Sequence, residues 1–192
     1  QSFQPTIDPA AIIEKRHELF QEMLADLKEL PLQTSVEKSL LKLLNADQCI
    51  FWISNQGISI LTTPTYGKSI KPSTGIIGAC FRLRRIINVY NPAKHDNFNQ
   101  NVDFANMPSL YLPFFKNEDE LFGIAQIIRE TESNFFSDID EESAKFFASK
   151  FQKMSHLIIS DNSVFTLVSD NDLAPQVIER LSHNFQCLKV EF

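Results

Sequence analysis

The spacing of apolar residues changes twice along this chain, and that change limits the fold more than any single motif. Near the start, Ile13, Phe20 and Leu27 recur every seven residues, with Met23 and Leu30 as a second series. This predicts a long amphipathic helix with an a/d-like seam, broken by Arg16. Near the other end, Phe147, Phe151, Met154 and Ile158 recur at helical spacing. Between the two helices lie short apolar runs bounded by polar turns, and such runs read as strands. Helices at the ends with strands between them predict an α+β or α/β domain, its largely antiparallel sheet carrying the long helices on one face.

The boundaries follow from local chemistry. Asp8 followed by Pro9 predicts a helix start, and Pro31 a stop. Thr34 to Glu37 has the spacing of a capping box, opening a second helix through Val36, Leu40, Leu43 and Leu44. Strands are expected over Cys49–Ser54 and Ile58–Thr62, joined by a turn at Asn55-Gln56-Gly57, and over Arg85–Val89. Ser73 and Thr74 precede a short buried helix from Gly75 to Phe81. A polar, Asn-rich loop from Tyr90 to Pro108, with one helical turn near Phe98, is long enough to suggest function. Strands at Leu110–Phe115 and Leu121–Ile128 flank a polar hairpin connection, and Pro113 marks an edge or a bulge. Ser137, with Asp140 three residues on, caps the last long helix. Beyond it, 164–168 reads as a strand and 173–185 as a helix. The expected organisation is an N-terminal helix over 1–33, a domain over 34–158 and an extension over 159–192.

Charge and chemistry narrow the function classes. Hydrophobic residues make up 43% and charged residues 22%, which excludes low-complexity and disordered classes. Seventeen Phe supply ample core material. No apolar run approaches the ~18 residues of a membrane span, and no basic leader with an apolar stretch opens the chain, so a cytoplasmic setting is expected. Cys49, Cys80 and Cys187 are unclustered, which fits reduced thiols, and the four His lie too far apart in sequence for a zinc motif. The net charge is −6, yet Lys68, Lys71, Arg82, Arg84, Arg85 and Lys94 fall in a stretch without any acid, so the other residues sum to −12. Such a stretch suits a small anion or faces the acidic run from Glu130 to Glu142; a nucleic-acid polymer is not expected at this overall charge. No nucleophile, phosphate-loop or zinc-protease motif is present, and His95-Asp96 lacks a partner nucleophile.

Several pieces recur in one order: Ala46 to Ile53, Gly75-Ile-Ile-Gly-Ala, Asn88-Val-Tyr-Asn, Asp96 to Asp103, Leu112-Pro113, Phe122 to Ile128, and Phe136-x-x-x-Asp140-Glu141. Together, over Val36 to Phe151, they resemble a GAF domain of the kind that regulates cyclic-nucleotide phosphodiesterases and adenylyl cyclases. The resemblance implies about six antiparallel strands, with the long N- and C-terminal helices on one face and short helices plus the long loop over a pocket on the other. In cyclic-nucleotide-binding members the phosphate sits at helix N-termini, which here implies the helix start at Gly75 and Ile76 and the turn from Asp96 to Phe98. Phe81, Phe98 and Tyr111 are the implied aromatic partners of a base, with cyclic AMP or cyclic GMP as the ligand.

Phe136, Asp140 and Glu141 would form the structural motif beside the pocket. Those members pair a Lys after the last strand with the Asp; here Arg129-Glu130 stands there, and Glu130 is expected to repel Asp140. The Asp103 to Ser109 segment is short, and Phe104 and Met107 are expected to fill the space. The reading is therefore a non-catalytic sensory or scaffold domain of a larger protein. It would contact a protein partner or a second copy through its terminal helices, with no cofactor or metal and a degenerate pocket. The alternative is a cyclic-nucleotide-binding regulatory domain.

Overall fold

In the computed structural model, residues 8–55, 59–131 and 134–159 are described. The expected turn at Gln56-Gly57 and the elements expected at 164–168 and 173–185 lie outside them. Four helices and six strands follow in the order α1 (Pro9–Asp26), α2 (Leu32–Leu44), β1 (Gln48–Asn55), β2 (Ile60–Thr63), β3 (Lys68–Ile70), α3 (Gly75–Leu83), β4 (Ile87–Val89), β5 (Ser109–Phe115), β6 (Leu121–Ile128) and α4 (Asp138–Ile158). The strands form one sheet in the order β3-β2-β1-β6-β5-β4, every pair antiparallel. This is the expected α+β architecture.

Period-two alternation divides the strands between two cores. Cys49 and Phe51 of β1, with Leu110, Leu112 and Phe114 of β5, face α1, α2 and α4. Ile50 and Trp52 of β1, Tyr111 of β5 and Ile124 of β6 face the opposite side, under α3 and the long loop. The helix-covered core is dominated by Phe rings in edge-to-face contact. Phe114 lies 5.2 Å from Phe51 and 5.1 Å from Phe151, and Phe20 of α1 lies 5.2 Å from Phe147 of α4. Such contacts add about 0.5–1.5 kcal/mol each beyond simple burial. Gly123 admits this packing: a Cβ there would stand 2.6 Å from the Trp52 carbonyl oxygen and 2.9 Å from the Phe51 ring.

Several boundaries depart from the sequence reading, each for a tertiary reason. α1 ends at Asp26, not at Pro31, and tight turns onto Ala25 and Asp26 carbonyls carry residues 28–30. Its buried stripe is Leu19, Phe20, Met23 and Leu24, while Ile13 is exposed. The seam is thus consumed inside the chain in its second half only. The capping box at Thr34 to Glu37 does not form. α2 starts at Leu32, the Ser35 hydroxyl donates to the Pro31 carbonyl (3.1 Å), and buried Glu37 accepts the Phe51 N–H of β1 (2.8 Å). β2 begins at Ile60 and β4 at Ile87, each two residues later than expected. In the long loop a 3-10 turn runs over Pro92–Lys94, and just after Phe98 the Asn99 carbonyl accepts the N–H groups of Val102 (3.0 Å) and Asp103 (2.8 Å) in a helical-type turn. Pro113 behaves as expected, since β4 pairs only with Ser109, Leu110 and Tyr111, which leaves Pro113 beyond the end of β4, and the register shifts at Phe114/Phe115. The Ser137–Asp140 capping box on α4 is complete.

Candidate functional site

The site forms where α3 starts above the sheet. Gly75 adopts φ +68°, a left-handed conformation that glycine tolerates without a Cβ penalty. A Cβ there would come within 2.6 Å of Val102 Cγ2 and 2.7 Å of Asp103 Oδ2, so the loop closes directly onto the helix start. Thr74 occupies the N-cap but makes no side-chain cap bond. Asp103 takes over that task from across the loop. Its Oδ2 accepts the N–H of Ile76 (3.1 Å) and of Asn99 (2.8 Å), and its Oδ1 accepts the Tyr111 hydroxyl (2.8 Å).

An anion is expected at a helix N-terminus, where N–H groups lack intrahelical partners and the dipole is positive. Here the chain supplies its own carboxylate. Burial nevertheless holds the Asp103 carboxyl above its usual range, opposed by the hydrogen bonds from Asn99, Ile76 and Tyr111. Burial likewise pushes the Tyr111 phenol up, with the Asp103 charge adding to it.

A second polar link fixes the same loop. Buried Gln126 of β6 accepts the Trp52 indole N–H (3.1 Å) and donates to the Val102 carbonyl (3.0 Å). Beside these groups a cavity of about 390 Å³ remains, walled by Ile50 and Trp52 of β1, Thr63 of β2, Lys68 of β3 and Val102 to Phe104 of the loop. Thr63 is buried, and its hydroxyl has no hydrogen-bond partner among the described residues. Pockets for small organic ligands span about 300–1,000 Å³, so this one is small.

The expected ligand residues do not converge. Gly75 and Ile76 meet Asp103 at the helix start. Asp96 is exposed and Phe98 half-buried, while Phe81 lines a separate groove. Tyr111 is fully buried and engaged with Asp103. The cavity wall contains none of Phe81, Phe98 and Tyr111. Phe104 and Met107 pack against the core of this face as expected, yet leave the cavity beside them. The sequence reading gave no role to Asp103, Trp52, Gln126 or Thr63.

The structural motif does converge, with one correction. Arg129, 5% exposed, lies over the Phe136 ring at 4.2 Å and contacts both Asp140 oxygens at 3.3 Å. Its guanidinium also donates to the Leu44 and Phe135 carbonyls. The expected loss of the brace to Asp140 is therefore overturned, since the cation is present one residue earlier. Glu130 points elsewhere and accepts the Gln48 amide at 2.9 Å. Glu141 accepts the Asn88 amide (2.8 Å), which ties β4 to the same helix start.

The basic stretch does not pair with the acidic run: among the described residues, no ion pair involves Lys68, Lys71, Arg82, Arg84, Arg85 or Lys94. Cys49 and Cys80 are buried, and burial raises both thiols above their ordinary value. Among the described residues no group of three His, Cys, Asp or Glu is placed to hold a metal ion. No described helix is long and apolar enough to cross a membrane.

Comparison with known proteins agrees with this architecture. The chain is similar to the GAF domain of a phosphoenolpyruvate-protein phosphotransferase from Coxiella burnetii, at 18% identity and TM-score 0.62, covering 77% of this chain and 97% of that one. The corresponding domain from Acinetobacter gives 15% identity and TM-score 0.64, covering 78% and 96%. A free methionine-R-sulfoxide reductase from Neisseria meningitidis gives 13% identity and TM-score 0.60, covering 80% and 97%. These are bacterial proteins of several kinds, so at these identities they bear on the fold and do not single out the phosphodiesterase or cyclase branch. No curated protein matches the sequence. The GAF domain family matches residues 32–151, which spans both sheet faces and the start of α4; the chain belongs to the GAF domain family.

Proposed function

We propose that this chain is a non-catalytic regulatory GAF domain that acts through protein contacts of its terminal helices, with the anion seat on its ligand face occupied by its own Asp103. The carrying observation is the Asp103 carboxylate on the Ile76 N–H. A cyclic nucleotide placed as the resemblance implies would set a phosphate against a carboxylate at the same few N–H groups, a like-charge contact in a poorly hydrated site. The scattered Phe81, Phe98 and Tyr111 offer it no common aromatic wall. Two buried thiols with raised pKa are poor nucleophiles, which argues against reductase chemistry at Cys49 or Cys80. For contacts, the starts of α1 and α4 expose Ile13 (52%) and Ile139 (42%), next to Phe135 (57%). Phe20 is spent against Phe147 inside the chain, so a partner would meet the first turns of the helices and not the whole seam.

A second reading has its own observation. The 390 Å³ cavity with an unpartnered Thr63 hydroxyl suits a small polar ligand that leaves Asp103 in place. The test is calorimetric titration of the chain with cyclic AMP and cyclic GMP, paired with light scattering of wild type and Ile13→Asp. The proposal expects no nucleotide binding and a self-association or partner complex weakened by Ile13→Asp. Micromolar nucleotide binding that is lost on Phe98→Ala would establish the alternative instead.

A further inference from the structure

The unpaired basic stretch is not spread evenly over the surface. Lys71, Arg82 and Arg84 line one open groove of about 790 Å³, outside the cavity described above. Lys71 precedes α3, whereas Arg82 lies in its last turn and Arg84 caps its C-terminus. They meet because the turn before α3 folds back along the helix. Gly78 makes that possible, since a Cβ there would stand 2.6 Å from the Ser73 carbonyl carbon and 2.8 Å from the Pro72 oxygen.

The arginines are anchored in distinct ways. Arg84 donates to the Asp119 carbonyl (3.1 Å) and the Glu118 carbonyl (2.6 Å) of the β5–β6 hairpin, and lies 4.8 Å over the Phe115 ring. Arg82 donates one N–H to the Asn97 amide oxygen at 3.0 Å. Lys71 carries no side-chain bond or ion pair among the described residues. The groove's one carboxylate, Asp119, makes no ion pair either.

A cation beside a helix C-terminus has an ordinary cause in the dipole, and that covers Arg82 and Arg84. It does not cover Lys71, which precedes the helix. Nor does it cover the backbone. Among the described residues three non-glycine positions have positive φ: Asn45, Ser59 (φ +49°) and Arg84 (φ +54°). Arg84 is the left-handed C-cap of α3, its N–H on the Cys80 carbonyl, which is a common helix ending; Ser59 has no such cause, and strained positions of that kind concentrate at binding sites. Both line this groove, together with the hydroxyls of Ser54 and Ser73 and the half-buried Phe81 ring.

We propose that this groove is a binding site for a phosphomonoester on a small organic molecule. The dianion would be held by Lys71 and the free N–H groups of Arg82, the Ser hydroxyls would complete its hydrogen bonds, and the organic part would lie on Phe81. Guanidinium and ammonium groups with hydroxyls are the donor set that phosphate oxygens accept from most strongly. The site is independent of the ligand-face reading, since it shares no residue with Asp103 or its cavity.

The probe is phenyl phosphate, titrated into the full chain and followed by ¹H–¹⁵N correlation spectra, with phenyl sulfate as the singly charged control. The expected result is saturable shifts at the amides of Ser54, Ser59, Ser73 and Arg82, with affinity about tenfold or more above the sulfate and falling with salt. Lys71→Gln with Arg82→Gln, both exposed, should weaken binding about tenfold while the thermal midpoint stays at the wild-type value. Asp119→Asn removes the opposing charge and keeps the backbone carbonyl that Arg84 uses, so it should tighten binding about threefold. Absence of saturation, equal affinity for the sulfate, full binding by the double variant, or equal shifts at Lys68, Arg85 and Lys94 would each overturn the proposal.

Discussion

The two faces of the sheet use the same strands in opposite ways. On the helix-covered face the residues are mostly Phe and Leu, packed beneath three helices. On the α3 face the strands contribute Trp52, Tyr111 and Gln126, whose polar ends hold a loop in place. One face gains stability from removing apolar area from water. The other holds buried polar groups, which cost free energy unless each finds a partner. The helical face is thus held by packing, while a few long-range hydrogen bonds hold the loop over the α3 face.

The largest effect should come from the helical face. Phe114→Ala removes the ring that meets Phe51, Phe147 and Phe151. It should cost about 3–5 kcal/mol in urea unfolding, and a loss below about 1 kcal/mol would contradict a ring-packed core. Arg129→Met, beside the start of α4, should cost about 2–4 kcal/mol, because it strands the Leu44 and Phe135 carbonyls and leaves Asp140 without its cation. Glu130→Gln should change stability by no more than about 0.5 kcal/mol. Equal effects at the two positions would return the brace to Glu130.

On the α3 face the expected changes are smaller. Tyr111→Phe deletes the hydroxyl on Asp103 and should cost about 1–3 kcal/mol. Asp103→Asn should alter the pH dependence more than the stability at one pH. The folded-state pKa of Asp103 is raised, so its carboxylate binds a proton more readily in the native chain than in the unfolded one. Its contribution is therefore fully present below the ordinary carboxylate pKa and is lost as pH rises through the folded value. Relative to Asp103→Asn, the wild type should lose stability across that window and be parallel to it above. The smallest effect belongs to the exposed Lys145, whose pairs with Glu141 and Glu142 are solvent-screened; Lys145→Gln should leave the thermal midpoint at the wild-type value.

The helical face was the legible one. Period and burial coincide along α4, so Phe147 and Phe151 follow from spacing, and the largely antiparallel sheet follows from the order of the elements. Glu37 was misassigned because its spacing from Thr34 matches a local cap, while its real partner is the Phe51 amide, reached only after the chain has turned into β1. The same limit hid the site. Asp103 reaches Ile76 across twenty-seven residues, and Gln126 reaches Val102 across twenty-four. Neither link leaves a local pattern. Arg129 shows a subtler failure: aligning the motif by position put a carboxylate opposite Asp140, whereas the fold uses the neighbouring cation.

The central claim is that Asp103 is the resident anion of the α3 helix start. The most direct measurement is the backbone amide shifts of Ile76 and Asn99 followed from acid to neutral pH in ¹H–¹⁵N spectra. Both amides donate to Oδ2 of the same carboxylate, so the account predicts that they move together, with one shared midpoint above the ordinary carboxylate value, and that Asp103→Asn abolishes both transitions. Separate midpoints, or transitions that survive Asp103→Asn, would show that another group occupies the seat.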